Sequence, residues 1–365
     1  MKSQGHGVAG GASWLHGTQA GPLSSGRGRR GWPRRSTWPL GVDCEVLERG
    51  VPGESWRHRW DSLQLFTPAQ HCSLPGRRFP APRGSFPARD QTVAYLHDYA
   101  AELPVTPGVT VTALRRSGSG FELDTSRGTR SAARVVVATG ATSVPRIPEL
   151  SRELAPGLRQ LHSSDYRNPG SVPHGGVLVV GSGTSGVQIA IELAETREVW
   201  LAGKAPVHVP DPLLKYAGAL YWQFIHRALT RRTPLGRKLA PKVVAHGAPL
   251  ISVSTADAEH AGVVLLPRLE AVTDRGLPSF AGRPAPAIST VVWATGFRPD
   301  YAWIAGLERD GNGWPLTDRG AAAGLPGLFF VGLPFQFGLT SPLLGGVGRD
   351  ARHVAGRVAA AQQAV

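Results

Sequence analysis

The feature of this sequence that most constrains its fold is a predicted strand, glycine turn and helix beginning at Val177. Val177–Val180 is an apolar, β-branched run typical of a buried strand, and it leads directly into GSGTSG at 181–186, a match to G-x-G-x-x-G. Apolar residues then recur at helical spacing, and Val199–Ala202 is the next predicted strand. The glycine pattern alone is weak evidence. Strand, turn, helix and strand in this order predict a dinucleotide-binding unit.

Each glycine of the turn has a mechanical role. Gly181 permits the tight turn, Gly183 lets the backbone approach a pyrophosphate, and Gly186 lets the helix pack closely on the strand. The pyrophosphate then lies at a helix N-terminus, where unpaired N–H groups and the helix dipole favour an anion. Units that prefer NAD carry Asp or Glu after the second strand, whereas this chain has Lys204 there. A cation favours the 2′-phosphate, so the sequence predicts NADPH. The alternatives are a preference for NAD and a purely structural glycine turn.

The rest of the chain predicts alternating strands and helices. Strands are expected at 44–48, 109–114, 121–124, 134–138, 290–294 and 328–331, and helices at 90–101, 213–230 and 345–361. Two of the predicted buried strands end in the same Ala-Thr-Gly turn, at 138–140 and 294–296. The length of 365 residues is enough for two domains.

Composition limits the classes of function. The chain has 40 Lys and Arg against 26 Asp and Glu, but six of these basic residues and no acid lie within 1–42. No zinc-finger or recognition-helix pattern accompanies the charge, so we expect no nucleic-acid partner. Cys44 and Cys72 are the only cysteines, which excludes a CxxC pair and favours a reducing cytoplasm. We find no metal motif, no signal peptide and no apolar run long enough to span a membrane, so we expect a cytoplasmic protein without a membrane partner.

A second nucleotide site is expected before Glu48, which ends its predicted strand as a ribose-binding acid does. Two further G-x-G-x-x-G matches precede it, at 5–10 and 26–31. The first has no room for a buried strand before it, and the second leads into Pro33 instead of a helix. We therefore reject both as phosphate loops. Residues 1–40 are predicted to be irregular, without a strand–turn–helix unit.

Taken together, segments 41–48, 53–56, 59–63, 138–140, 177–193 and 294–301 resemble the class B flavoprotein monooxygenases, which include the flavin-containing and Baeyer–Villiger enzymes. The resemblance implies an α/β fold with two Rossmann-like domains. An NADP-binding domain at 166–290 would be inserted in an FAD-binding domain formed by 41–165 and 291–365. It also implies oxygenation of a small organic substrate by O2 through a C4a-(hydro)peroxyflavin, after NADPH has reduced FAD.

The resemblance also assigns site residues. Those carried over to FAD are Glu48, Ser55, Trp56, Thr139 and Gly140. Those carried over to NADP are Gly181, Gly183, Ser185, Gly186, Gln188 and Lys204. Thr295 and Gly296 would mark a crossing between the domains. No catalytic side chain is assigned, because the cofactor carries the difficult chemistry. His162 and Asp61 are candidates to assist, and structural hydrogen bonds are the alternative for both.

The chain departs from the family at three points. An Arg/Gly/Pro-rich segment replaces the glycine turn before Gly41, and Glu54 stands where the family has glycine. Of the fingerprint F-x-G-x-x-x-H-x-x-x-[YF], only His162 and Tyr166 remain. We therefore expect weak FAD binding and weak or no NADPH oxidation. Two rival interpretations stay open: a disulfide reductase, against which the missing CxxC pair argues, and an NADP-binding remnant that has lost FAD and activity.

Overall fold

The computed structural model describes residues 44–204, 206–246, 249–281, 283–284 and 286–363. The helices are α1 Glu54–Arg57, α2 Arg89–Ala100, α3 Thr184–Ala194, α4 Asp211–Ala228, α5 Pro234–His246, α6 Thr255–His260 and α7 Leu344–Gln363. The strands are β1 Val46–Glu48, β2 Val105–Pro107, β3 Val111–Ser117, β4 Gly120–Thr125, β5 Gly128–Ala132, β6 Val135–Val137, β7 Val144–Pro145, β8 Arg159–His162, β9 Val177–Val180, β10 Val199–Ala202, β11 Val264–Leu266, β12 Ala271–Val272, β13 Pro278–Phe280, β14 Arg283–Pro284, β15 Thr290–Trp293, β16 Phe297–Arg298, β17 Thr317–Asp318, β18 Ala321–Ala322 and β19 Leu328–Phe330.

A five-stranded parallel sheet carries the glycine turn. Its strand order is β11-β10-β9-β15-β8. Val177 and Val179 of β9 share a core with α3, whereas Leu178 and Val180 belong to a second core with Phe280. Both faces of β9 are therefore covered. This explains why the strand is apolar at every position instead of alternating.

A second set of parallel strands pairs β1 with β2 and β6 with β19. Leu47 of β1 lies in one core with Val135 and Val137 of β6. In the five-stranded sheet, β9 lies between β10 and β15. An Ala-Thr-Gly turn follows β15, and another follows β6. Among the described residues, no strand takes the equivalent place between β1 and β6. The predicted irregular segment 1–40 lies outside the described part of the chain.

The chain crosses between the two sheets after each Ala-Thr-Gly turn. The crossing segments contain β7 and β16, which pair antiparallel with each other. The predicted α/β class with two Rossmann-like units is confirmed. The predicted limits of the NADP-binding domain, 166–290, remain a proposal. The sheet that carries the glycine turn also includes β8 and all of β15, which favours wider limits.

Most predicted elements are present with shifts of a few residues at their ends. The glycine-turn unit is confirmed as β9, α3 and β10. The helix predicted at 90–101 is α2, which begins at Arg89 with Ala88 as the N-cap. The sequence analysis missed α5, because Pro241 interrupts its pattern, and α6, although Ser254 forms a capping box at its start.

Candidate functional site

The turn between β9 and α3 depends on Gly181. This residue has a φ of +111°, which side-chain-bearing residues rarely adopt. A Cβ here would lie 2.3 Å from the carbonyl oxygen of Ala294. The N–H of Gly181 donates to the carbonyl of Ala202 at 2.8 Å. The turn is therefore held between the ends of β10 and β15.

Gly186 and Gly183 face different surroundings. A Cβ on Gly186 would lie 1.8 Å from the carbonyl oxygen of Gly181, so α3 can pack on the turn only if this residue is glycine. A Cβ on Gly183 would meet no atom within 4 Å. Gly183 is the N-cap of α3, whose first N–H groups have no helical partner. The open space beside it fits the approach of a dinucleotide pyrophosphate.

Lys204 follows the end of β10 and is exposed. The preceding residue, Gly203, has a φ of +141°, and a Cβ on it would lie 3.0 Å from Ser182 Oγ. This close approach brings the segment that carries Lys204 against the glycine turn. Its position fits the sequence prediction that the ammonium group can reach the ribose end of a dinucleotide. The assignment of Lys204 to NADP remains a proposal.

Ser185 and Gln188 lie on α3 and line one cavity. The amide group of Gln188 also connects α3 to the segment after α1. Gln188 Nε2 donates to the carbonyl of Gln64 at 3.0 Å, and its Oε1 accepts from the Gln64 N–H at 3.5 Å. Gln188, predicted to contact NADP, is therefore also a structural link between the two nucleotide-binding halves.

Glu48 ends β1, at the place that Ala202 takes at the end of β10. Its carboxylate accepts a hydrogen bond from the N–H of Gly50 at 3.1 Å. Its carbonyl accepts from the N–H of Val109 at 2.9 Å, which fixes the strand end against the chain that leaves β2. The strand thus presents an acid at its carboxyl end, where dinucleotide folds bind a ribose.

Helix α1 brings Ser55 and Trp56 to the wall of the same cavity. Glu54, which replaces a family glycine, turns back onto its own loop, where its carboxylate accepts the N–H of Val51 at 2.8 Å. The acid therefore stabilises the loop before α1. The sequence alone indicated only that an acid stands where a cofactor would approach, because the direction of a side chain is set by its hydrogen bonds.

The two Ala-Thr-Gly turns have similar backbone but different neighbours. Gly140 and Gly296 have φ values of +75° and +80°. Gly140 lines the cavity. Thr295 donates its hydroxyl to the carbonyl of Arg146, and the N–H of Arg146 donates to Gly296 at 2.9 Å. The second turn is thus tied to the first crossing segment.

One cavity of about 800 Å³ connects the two halves. Of the predicted site residues it brings together Ser55, Trp56, Gly140, Ser185 and Gln188. Lining residues to which the sequence gave no role include Arg59, Gln64, His71, Gly332, Gly348 and Arg352. Arg59 lies in a segment that carries the family resemblance, but that pattern does not say which side chain faces a ligand. The residues of α7 carried no motif at all.

His162 and Asp61 have structural roles. His162 is 1% exposed, accepts the N–H of Ser164 at Nδ1 and donates from Nε2 to the carbonyl of Gly296 at 2.9 Å. Burial lowers the pKa of His162, which keeps the ring neutral. Asp61 accepts from Asn168 at 2.7 Å and from Arg89, and these hydrogen bonds lower its pKa. Both side chains form hydrogen bonds to segments that are distant in the sequence.

The cysteines offer no redox pair. Neither Cys44 nor Cys72 forms a disulfide, and burial raises the pKa of the Cys72 thiol to about 12. Because the thiolate is the reactive form, Cys72 stays protonated and unreactive at neutral and mildly alkaline pH. We expect Ellman's reagent to label at most one thiol quickly in the folded chain and the second only after denaturation. Two rapidly labelled thiols would contradict the burial of Cys72.

The described residues include neither a membrane-spanning helix nor a metal centre. No helix in that part of the chain combines the length and apolar character that crossing a membrane requires. The same residues contain no group of three or more side chains placed to hold a metal ion.

Known oxidoreductases and monooxygenases are similar to this chain over most of its length. A family model described as pyridine nucleotide-disulphide oxidoreductase matches residues 39–211. An uncharacterized CzcO-like oxidoreductase from Geobacillus kaustophilus is 36% identical, covering 83% of this chain and 87% of the relative. Indole-3-pyruvate monooxygenase YUCCA4 from Oryza sativa subsp. japonica is 28% identical, and the match covers 86% of this chain and 81% of the relative. A solved flavin-containing monooxygenase from Stenotrophomonas maltophilia is 27% identical, with a TM-score of 0.68. The match covers 87% of this chain and 90% of that structure.

These similarities, together with the glycine-turn sheet and the shared cavity, place the chain in an enzyme family. It belongs to the class B flavoprotein monooxygenases, beside oxidoreductases of the CzcO type. A solved neighbour in fold, OTEMO, is described in complex with FAD and NADP; it is 16% identical to this chain, with a TM-score of 0.58. The resemblance inferred from the sequence is therefore confirmed.

Proposed function

We propose that this chain is an NADPH- and FAD-dependent monooxygenase that oxygenates a small organic substrate with O2. The observation that carries the proposal is the shared cavity. Its wall contains Ser55 and Trp56 of α1 on the side expected to hold FAD, and Ser185 and Gln188 of α3 on the side expected to hold NADP. A cavity that joins the two halves is what hydride transfer between two cofactors requires, since the reacting groups must be held in contact.

The residues fit NADP more completely than FAD. The turn at Gly181, Gly183 and Gly186 would hold the NADP pyrophosphate, and Lys204 would contact the 2′-phosphate. On the FAD side, Glu48 would bind the ribose. Ser55, Trp56, Thr139 and Gly140 would line the flavin side of the site. When bound, FAD supplies the redox chemistry, taking hydride from NADPH and activating O2.

The chain's own contribution is positioning and exclusion of water. Trp56, Trp60, Leu63 and Phe66 give one side of the cavity an apolar wall. Such a wall keeps water from reactive groups and strengthens the electrostatic interactions made inside. The link between Gln188 and Gln64 fixes the distance between α3 and this wall.

Lys204→Glu tests the choice of dinucleotide. Replacing a cation with an anion beside the 2′-phosphate should weaken NADPH relative to NADH by about 1–3 kcal/mol, the range of charge-assisted hydrogen bonds. The measurement is the ratio of the two dissociation constants by titration calorimetry. Lys242→Glu, a change at another exposed lysine, is the control. An unaltered ratio in Lys204→Glu would remove Lys204 from the site.

A second candidate function is an NADP-binding remnant without monooxygenase activity. It is favoured by one observation from the sequence. Neither of the two G-x-G-x-x-G matches before Glu48, at 5–10 and 26–31, lies between a predicted strand and a predicted helix. Such a chain would bind NADPH and leave it unoxidised.

The decisive experiment incubates the purified full chain with NADPH, added FAD and, in turn, an apolar sulfide, a tertiary amine and a cyclic ketone. The proposal expects NADPH and O2 to be consumed together, with one labelled oxygen atom from O2 in a product. Gly183→Val, expected not to bind NADPH, serves as the background. NADPH binding without consumption at any FAD concentration would favour the remnant.

A further inference from the structure

Arg59 is a cation in the cavity wall. Its guanidinium lies 4.8 Å above the ring of Phe297, at the second domain crossing. Burial and the nearby positive charge of Arg167 together lower the pKa of Arg59 to about 10. The side chain is half-buried and lies next to a second cation.

No acid of the described chain neutralises this charge. Within the described residues, the Arg59 guanidinium forms no ion pair or hydrogen bond. The carboxylate of Asp61, two residues along, is taken by Arg89 and Asn168. That of Glu54 is turned onto the loop before α1.

A half-buried charge without a partner has lost part of its hydration, and proteins normally offset that loss with an ion pair or a hydrogen bond. An arginine in this state at a cavity wall can bind an anion that the described residues do not supply. The planar guanidinium matches carboxylate and phosphate groups with two parallel hydrogen bonds. The chemistry that would complete the site is therefore an oxyanion carried by a ligand.

We propose that Arg59 binds an oxyanion of a ligand held in this cavity, a role that rests on the proposed function. The same cavity wall contains Ser185 and Gln188 of α3, beside the expected path of the NADP pyrophosphate, and the apolar side chains of Trp56 and Trp60. Two sources offer the same chemistry. One is the pyrophosphate of the dinucleotide, and the other is the carboxylate of an apolar substrate.

The test measures direct binding by titration calorimetry, so that it does not depend on turnover. The probes are NADPH, inorganic pyrophosphate, phenylacetate and its neutral amide, phenylacetamide. The variants are Arg59→Gln, Arg59→Lys and the control Arg57→Gln, which removes an exposed arginine of α1. Arg59→Gln should lower the affinity for the oxyanion that Arg59 binds by about 10- to 100-fold. Arg59→Lys should recover part of the loss, because it keeps the charge without the planar fork.

The two sources give different results. If Arg59→Gln binds phenylacetate more weakly while its affinities for phenylacetamide and NADPH are unchanged, Arg59 binds a substrate carboxylate. If the variant binds pyrophosphate and NADPH more weakly, Arg59 binds the pyrophosphate of the dinucleotide. The melting temperature of Arg59→Gln without ligand should be unchanged or higher, because the variant removes a half-buried charge that has no partner among the described residues. Unaltered binding of every oxyanion, or a large fall in melting temperature, would overturn the proposal. If oxyanion binding depends on Arg59 but NADPH is not oxidised, the result contradicts the monooxygenase function and leaves the role of Arg59 in binding intact.

Discussion

Gly183→Val should abolish NADPH binding while leaving the folded chain as stable as before. Gly183 has φ −75° and ψ 176°, an extended conformation open to any residue, and a Cβ there meets nothing within 4 Å. A valine side chain would occupy the open space beside the N-terminus of α3. The pyrophosphate would lose its hydrogen bonds to the helix N–H groups, each worth about 1.5–3 kcal/mol for a charged acceptor. Losing two of them weakens binding by at least about 100-fold.

The measurement pairs NADPH calorimetry with thermal unfolding. Gly157→Val is the matched control, because a Cβ on Gly157 also meets nothing within 4 Å and this residue lies far from the turn in sequence. Gly186→Ala should behave differently, since its Cβ would lie 1.8 Å from the Gly181 carbonyl and force the turn or α3 to move. That variant should lose both NADPH binding and about 1–3 kcal/mol of stability. Normal NADPH affinity in Gly183→Val would show that no phosphate approaches α3.

Supplying a phosphate loop before Gly41 should raise FAD affinity by at least about 100-fold. The change replaces residues 1–40 with a strand, G-x-G-x-x-G turn and helix patterned on 177–194. In the five-stranded sheet this unit lies between β10 and β15, which places the helix N-terminus at the carboxyl edge of the sheet. The same unit between β1 and β6 would add oriented N–H groups to the ribose contact of Glu48.

Arginine side chains supply positive charge, but charge alone does not provide the oriented N–H groups of a phosphate loop. The chain with its present segment 1–40 should therefore hold FAD weakly and oxidise NADPH slowly, and the altered chain should do both better. FAD retained after gel filtration and the rate of NADPH consumption are the readouts. A third chain with valine at the second glycine of the new turn is the control. Equal FAD retention by all three would contradict the role of the turn.

The sequence predicted the parts of this molecule whose chemistry is local. The unit at Val177–Val180 and 181–186 could be placed because its apolar run, glycine spacing and helical period are set by neighbours in the chain. Gly181 adopts the positive φ that a tight turn requires, and Gly186 leaves room for α3 to pack closely on the turn, as expected. The two Ala-Thr-Gly turns were found as a repeated device, and their segments do cross between sheets.

The sequence could not predict what depends on distant contacts. Arg59 and Gln188 are separated by more than a hundred residues and meet at one cavity, which no local pattern reveals. Glu54 was identified only as an acid at the position of a family glycine, and the direction of its side chain follows from the hydrogen bond that it accepts from the Val51 N–H. Helix α5 was missed because Pro241 breaks the pattern, although tertiary packing overrides such propensities.

We infer that a complete NADP half is joined to an FAD half with a weak phosphate anchor. To test this, the purified full chain is saturated with FAD and passed through a gel-filtration column, and flavin absorbance and NADPH affinity are measured on the same sample. We expect NADPH bound in a one-to-one ratio, most of the FAD lost, and slow NADPH consumption that increases when FAD is added back. Stoichiometric FAD retention with rapid turnover, or no NADPH binding, would contradict it.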